Sequence, residues 1–261
     1  MTSKLTYLRA IYRVILFLIG TLALVPLQII WILPSIILHY PLRYQSPIAV
    51  LWYRYTLKIF GIKVNIVNKR NLSKKQKIYL SNHVSYIDIL VLGAYFNGFF
   101  IAKSDIAKWP VFGPLSKISG TLFITRNRRY LPVQIKLLKK HLEAKQSLII
   151  FPEGTTGNGR EILHFKSGLL NVLDEVKKKP VIQPLSIRYT QINGKTLVEQ
   201  EDFDKIAWYG EMTLAPHLWQ LLRQKKVATR VVVHPVMPIT DGSNSKSLMA
   251  QVEAEVKTDF Q

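Results

Sequence analysis

The chain has 261 residues, 48% of them apolar, and no cysteine, which excludes disulfides, thiolate catalysis and cysteine-ligated metal. Its 36 Lys and Arg against 16 Asp and Glu give a formal net charge of +20, which implies an anionic partner or surface. Nucleic acid and anionic lipid both satisfy that balance. The length suits one large domain, or one domain with an appendage. The cations lie in small groups (Lys74, Lys75 and Lys77; Arg126, Arg128 and Arg129; Lys177 to Lys179; Arg223, Lys225 and Lys226), each of which reads first as a solvated face.

From Val14 to Leu38 no residue is charged, and the run is long enough to cross a bilayer. It is too long for a cleaved signal peptide. Pro26 and Pro34 interrupt it, and each proline removes a backbone donor. Lys4, Arg9 and Arg13 precede it and Arg43, Arg54 and Lys58 follow, whereas a single crossing carries asymmetric charge. The reading is therefore two short helices that dip into one leaflet and return, with a true span and a buried soluble hairpin as alternatives.

Next comes an amphipathic helix over Ser46–Phe60, then a first strand over Lys63–Val67. Helices are expected over Ile89–Phe96, Arg129–Lys145, Phe165–Val176 and Ser245–Gln261, and strands over Val181–Tyr189 and Thr229–His234. Strands alternating with helices predict an α/β fold with a largely parallel sheet flanked by helices. Residues 1–60 form the membrane-associated helices, and residues 61–261 the remaining domain.

Four short apolar runs each end in a polar cluster. Lys77–Leu80 leads into Ser81-Asn82-His83, with Asp88 five residues after the histidine; Phe99–Ala102 delivers Lys103; Leu122–Thr125 delivers Arg126; and Leu148–Phe151 delivers Pro152-Glu153-Gly154-Thr155-Thr156. Runs of this kind are buried strands, and in open α/β sheets ligand sites gather at strand carboxyl ends. A carboxylate near His83 fixes its tautomer and frees the other nitrogen to take a proton. That pairing needs His83 in the turn before a helix and Asp88 in its first turn; the competing reading is a capping pair of Ser85 with Asp88. Arg126 and Lys103 are the anion candidates. Gly154 permits a sharp turn, and the amides and hydroxyls around Thr155 suit an anion. His141, His164, His217 and His234 read as structural, and no metal cluster is evident.

Together, His83-x4-Asp88, Gly120-Thr121-Leu122-Phe123-Ile124-Thr125-Arg126, Phe151-Pro152-Glu153-Gly154-Thr155 and Val181-Ile182-Gln183-Pro184 stand in the order of the four glycerolipid acyltransferase blocks. The chain resembles bacterial 1-acylglycerol-3-phosphate acyltransferases over about residues 50 to 235. Two departures stand out: Thr125 replaces a more usual acidic residue, and Thr156-Gly157 replaces Arg-Ser. Phe165-Lys166-Ser167 and Ala207-Trp208-Tyr209-Gly210-Glu211-Met212 look like a subgroup that includes lyso-ornithine lipid acyltransferases. The resemblance implies that His83 is a general base, that Asp88 orients it, and that the sn-2 hydroxyl of 1-acylglycerol-3-phosphate attacks an acyl thioester to give phosphatidic acid. Arg126, Glu153, Gly154 and Thr155 would form the acceptor headgroup site, with Lys103 as a second cation. Glu153, as a carboxylate, would brace an arginine or backbone amides rather than touch phosphate. The alternative acceptor is lyso-ornithine lipid or another lysolipid. No cofactor is implied; acyl-CoA or acyl-acyl carrier protein is the co-substrate, and the partners are bilayer and lysolipid, with no nucleic acid. The implied location is the cytoplasmic face of a bacterial inner membrane. A serine esterase is disfavoured because no Gly-x-Ser-x-Gly turn is present.

Overall fold

The computed structural model describes residues 3–38, 42–125, 127–239 and 244–260. Helix α1 (Ser3–Ile37) runs unbroken through Pro26 and Pro34, in place of the two short helices expected. Each proline forfeits one backbone hydrogen bond, and the apolar residues around it offer no turn chemistry to end the helix. After Ser46, whose hydroxyl caps the Ile48 amide, α2 (Pro47–Phe60) returns alongside it. Phe17 packs on both Trp52 and Phe60, and Trp52 Nε1 donates to Thr21 Oγ1 (3.0 Å), so the pair forms an antiparallel hairpin.

The chain continues through β1 (Ile62–Val67), β2 (Lys77–Ser81), α3 (Ile87–Tyr95), β3 (Phe99–Lys103), α4 (Phe112–Ile118), β4 (Leu122–Ile124), α5 (Leu131–Glu143) and β5 (Leu148–Ile150). There follow β6 (Val181–Ile192), β7 (Lys195–Thr196), α6 (Gln200–Phe203), α7 (Leu214–Arg223), β8 (Val227–Val233) and α8 (Ser245–Lys257). The eight strands form one sheet in the order β1-β8-β6-β2-β5-β3-β4, with β7 beside β6. Strands β6, β2, β5, β3 and β4 are mutually parallel; β8 runs antiparallel to β6, and β1 parallel to β8. Strand β6 outruns its expected end because Asn193 and Gly194, both at positive φ, turn it back into β7. The stretch Phe165–Val176 holds a 3-10 turn (Gly168–Asp174) rather than an α-helix; its three-residue period brings Leu170 and Leu173 onto one face.

Both faces of the sheet are covered. Alternate residues of β5 sort to the two sides: Ile149 joins Tyr53, Val91, Leu92 and Ile187, while Leu148 and Ile150 join Leu138, Leu170, Val252 and others. Burial on both faces explains why β2 and β5 read as continuous apolar runs.

Helix α1 is fastened to this body along much of its length. Arg13, which is buried, donates to the carbonyls of Leu222 (3.0 Å) in the last turn of α7 and of Gln224 (2.6 Å) and Lys225 (3.0 Å) just beyond it, and Arg9 donates to Arg223 O (2.8 Å). These carbonyls lack helical partners, so the guanidinium acts as their cap. Arg9 and Arg13 are therefore anchoring groups within the protein, which removes the basis for counting them as flanking charges. Further along, Gln28 Nε2 donates to Ile118 O (2.7 Å). The opposite side of α1 exposes Leu8, Ile15, Leu22, Ile29 and Ile36 at seven-residue spacing. By length and composition α1 can cross a membrane.

Candidate active site

Strands β2, β5, β3 and β4 are neighbours and run the same way, so their carboxyl ends deliver the four polar clusters to one edge. Beyond β2, the Asn82 side chain takes the place of another strand residue: its Nδ2 donates to Ile187 O (2.9 Å) and its Oδ1 accepts from Ile187 N (2.7 Å). This holds the chain against β6 while it turns toward α3. His83 stands in that turn and Asp88 in the first turn of α3, and His83 Nδ1 lies 2.9 Å from Asp88 Oδ2.

Asp88 is fully buried and richly bonded. Its Oδ2 also accepts from the amides of Val84 (2.6 Å) and Ser85 (2.9 Å), and its Oδ1 accepts from the Tyr189 hydroxyl (2.6 Å). The pairing and capping readings thus hold together, with the carboxylate rather than Ser85 Oγ doing the capping. Burial, reinforced by the charge of Asp88, holds the Tyr189 hydroxyl well above its ordinary pKa, so it remains a donor. With Nδ1–H directed at the carboxylate, His83 Nε2 carries the lone pair, and among the described residues it has no hydrogen bond. The ring stacks on Phe151 at 3.9 Å and an interplanar angle of 11°.

Glu153 lies behind the dyad. Its Oε1 accepts from the His83 amide (2.6 Å) and its Oε2 from the Leu163 amide (3.1 Å), while the Gly157 amide donates to His83 O (2.8 Å). One carboxyl group therefore ties the β2 turn to the loop after β5. Burial pushes it up to about 8, against the two amide donors that favour its charge, with Asp88 and Glu253 adding to the rise. Gly154, at φ 70°, makes the turn; a Cβ there would meet Lys166 Nζ at 3.3 Å.

The edge opens on a cavity of about 1250 Å³. Its polar wall includes His83, Lys103, Gly154, Thr155 and Lys166; its apolar wall includes Phe17, Trp52 and Phe60 from the α1–α2 hairpin. Lys103 is ion-paired with Asp105, which also lines the space. Glu153 does not line it. Arg126 lies outside the described residues. His164, read as structural, stands exposed on the cavity wall with Nδ1 2.9 Å from Glu253. His217 Nδ1 meets the Tyr86 hydroxyl (3.1 Å), and His141 pairs with Gln146.

Sequence reasoning missed Tyr189, which lies 101 residues beyond Asp88, and the wall residue Tyr86, and it met the wall residue Lys166 only within a subgroup motif. Trp208, singled out only within a subgroup motif, also lines the cavity and packs edge-on against Trp109 and Tyr86.

The fold and dyad define a class: an α/β protein with an oriented histidine between a polar strand edge and a large apolar cavity. Known proteins match the chain. The acyltransferase family model covers residues 63–188. The lyso-ornithine lipid O-acyltransferase of Brucella abortus is 30% identical over 212 residues, 79% of this chain and 79% of that protein. The Rhodobacter capsulatus enzyme of the same name is 34% identical over 69% of this chain, which spans 64% of the relative. The 1-acyl-sn-glycerol-3-phosphate acyltransferase of Neisseria meningitidis is 29% identical over 68% of this chain and 66% of its own length. The crystal structure of the 1-acyl-sn-glycerophosphate acyltransferase of Thermotoga maritima superposes with a TM-score of 0.55 at 18% identity, over 97% of both chains, which shows a shared fold. This chain belongs to the acyltransferase family.

Proposed function

We propose that the protein transfers a fatty acyl group from an acyl thioester to the hydroxyl of a lysolipid, with His83 as general base. The observation that carries this reading is His83 on the wall of a cavity of about 1250 Å³ that is also lined by Phe17, Trp52 and Phe60, its Nε2 without a hydrogen bond among the described residues. The acceptor hydroxyl gives its proton to Nε2 as its oxygen forms the ester bond to the thioester carbonyl carbon. The carbon–sulfur bond then breaks, and the thiolate leaves and recovers the proton. Asp88 stabilises the imidazolium formed in between. General-base help of this kind is worth about 10²–10⁴-fold.

The acceptor in this reading is 1-acylglycerol-3-phosphate. Lys103, Lys166 and the Gly154–Thr155 turn on the polar wall suit a phosphomonoester, and Arg126 is the further cation that the sequence resemblance implies. A second acceptor, lyso-ornithine lipid, is favoured by the names of the relatives in Brucella abortus and Rhodobacter capsulatus. The donor is acyl-CoA or acyl-acyl carrier protein. The exposed apolar stripe of α1 seats the protein on the bilayer, at the cytoplasmic face of the inner membrane in this reading. The test incubates membranes containing wild type or His83→Ala with each labelled donor and each lysolipid in turn. Histidine-dependent phosphatidic acid supports the first acceptor. Labelling of the ornithine lipid alone replaces it with the second, and no transfer with any pair rejects the reaction.

A further inference from the structure

The two oxygens of Asp88 are unequally served. Oδ2 accepts from His83 Nδ1 and from the amides of Val84 and Ser85, all in one turn, whereas Oδ1 accepts only from Tyr189 among the described residues. The three donors to Oδ2 move with the turn that carries the histidine. Tyr189 comes from β6, and it alone of the four ties the carboxylate to the sheet. Strand alternation explains its aim: Leu185, Ile187 and Tyr189 face the α3 side, whereas Ser186 faces away. Tyr189 is still in register with Thr229 of β8, and the bulge falls only after it.

We infer that Tyr189 is a positioning residue for acyl transfer, holding Asp88 so that Oδ2 faces His83 and His83 Nε2 faces the cavity. The inference rests on the general-base reading above. A buried carboxylate bonded through one oxygen can pivot about its terminal torsion, which is broad. The second anchor, from another element, removes that freedom. The titratable groups around Asp88 are His83, Tyr189, Tyr86 and Glu153. Loss of a donor makes a carboxylate hold its proton more tightly. The same carboxylate then also holds the His83 imidazolium more strongly through Nδ1, so the acidic limb, where the base is protonated, moves to higher pH when the hydroxyl is removed.

The test measures kcat and KM of Tyr189→Phe in lipid vesicles as a function of pH, in the wild-type and His83→Ala backgrounds. Phe keeps the ring and its packing. The expected result is a kcat lowered about 10- to 100-fold, as for other orienting partners of a reactive group. The KM values should stay within about two-fold and the acidic limb should shift up, while the His83→Ala background should lose less than about two-fold further. A wild-type kcat and pH profile, or an equal fold loss in both backgrounds, overturns the inference. If the Phe variant does not fold, Tyr189→3,5-difluorotyrosine keeps the ring and strengthens the donor. The acidic limb should then move to lower pH, and an unmoved limb counts against the role. Full activity of His83→Ala itself would instead remove the general-base reading, and this inference with it.

Discussion

His83 with Asp88 and His234 with Glu255 share their local chemistry, with Nδ1 at 2.9 Å and 3.0 Å from a carboxylate oxygen, yet they stand in different surroundings. By distances alone the second is the fuller constellation, because Ser186 Oγ lies 3.1 Å from His234 Nε2 and completes a Ser-His-Glu line. Ser186, however, is fully buried and donates its proton to Asp259 (2.9 Å), so it has none to give the histidine. Neither Ser186 nor His234 lines the large cavity, and both bond to residues in or just beyond α8. His83 keeps Nε2 open toward that cavity. Hydrogen-bond geometry fixes ring orientation in both places; access decides which histidine can meet a substrate.

The largest effect should therefore separate the two. His83→Ala should lower kcat by about 10²–10⁴-fold with little change in melting temperature. His234→Ala should leave kcat near wild type and cost about 2–4 kcal/mol of stability, since Ser186 and Glu255 lose a shared buried partner. Parallel kinetics and chemical denaturation in detergent check both. A large kcat loss in a fully folded His234→Ala protein would break the comparison.

A similar contrast runs through the arginines. Arg13 is buried among three carbonyls, whereas Arg230 and Asp259 form a bridge whose arginine is 44% exposed. Arg13→Ala should cost about 2–4 kcal/mol and loosen α1 from α7. Arg230→Ala should cost less than Arg13→Ala, because the arginine is partly solvated and Asp259 keeps its bond from Ser186. Limited proteolysis of the first forty residues, alongside thermal melts, reads the two outcomes. Equal protection of α1 in both variants would remove the anchoring role.

These contrasts also mark what the sequence makes legible. The strands β2 and β5 are readable because burial on both faces writes them as unbroken apolar runs, and the parallel order puts His83, Lys103 and Gly154 at one edge. The His83–Asp88 spacing is readable because both residues lie in one turn. Tyr189 is not, because its contact spans 101 residues and depends on how β6 lies beside the turn after β2, which no local pattern marks. Arg13 was misread for a related reason: a cation before an apolar run looks like a flanking charge until the carbonyls of α7 are seen to close on it. Pro26 and Pro34 carried too much weight as breakers, since a single missing donor does not end a 35-residue helix held along its side.

The smallest effect concerns Glu153, which reaches the dyad only through backbone amides. Its carboxyl group is raised from 4.5 to about 8, chiefly by burial. A carboxyl raised on folding stabilises the fold when protonated. That contribution is fully present below about 4.5 and is lost as pH rises through about 8. Denaturant midpoints of the wild type should thus contain a component that falls across this window, on the order of a few kcal/mol at most. Glu153→Gln cannot titrate and should lack that component. Its amide oxygen can accept from only one of the His83 and Leu163 amides, because its NH₂ meets the other donor to donor. The expected activity loss is about ten-fold, the size of one misplaced backbone brace rather than a missing base. A loss as large as that of His83→Ala would place Glu153 in contact with the reacting groups. An unchanged midpoint profile would show that Glu153 stays ionised throughout, held by its two amides against the cost of burial.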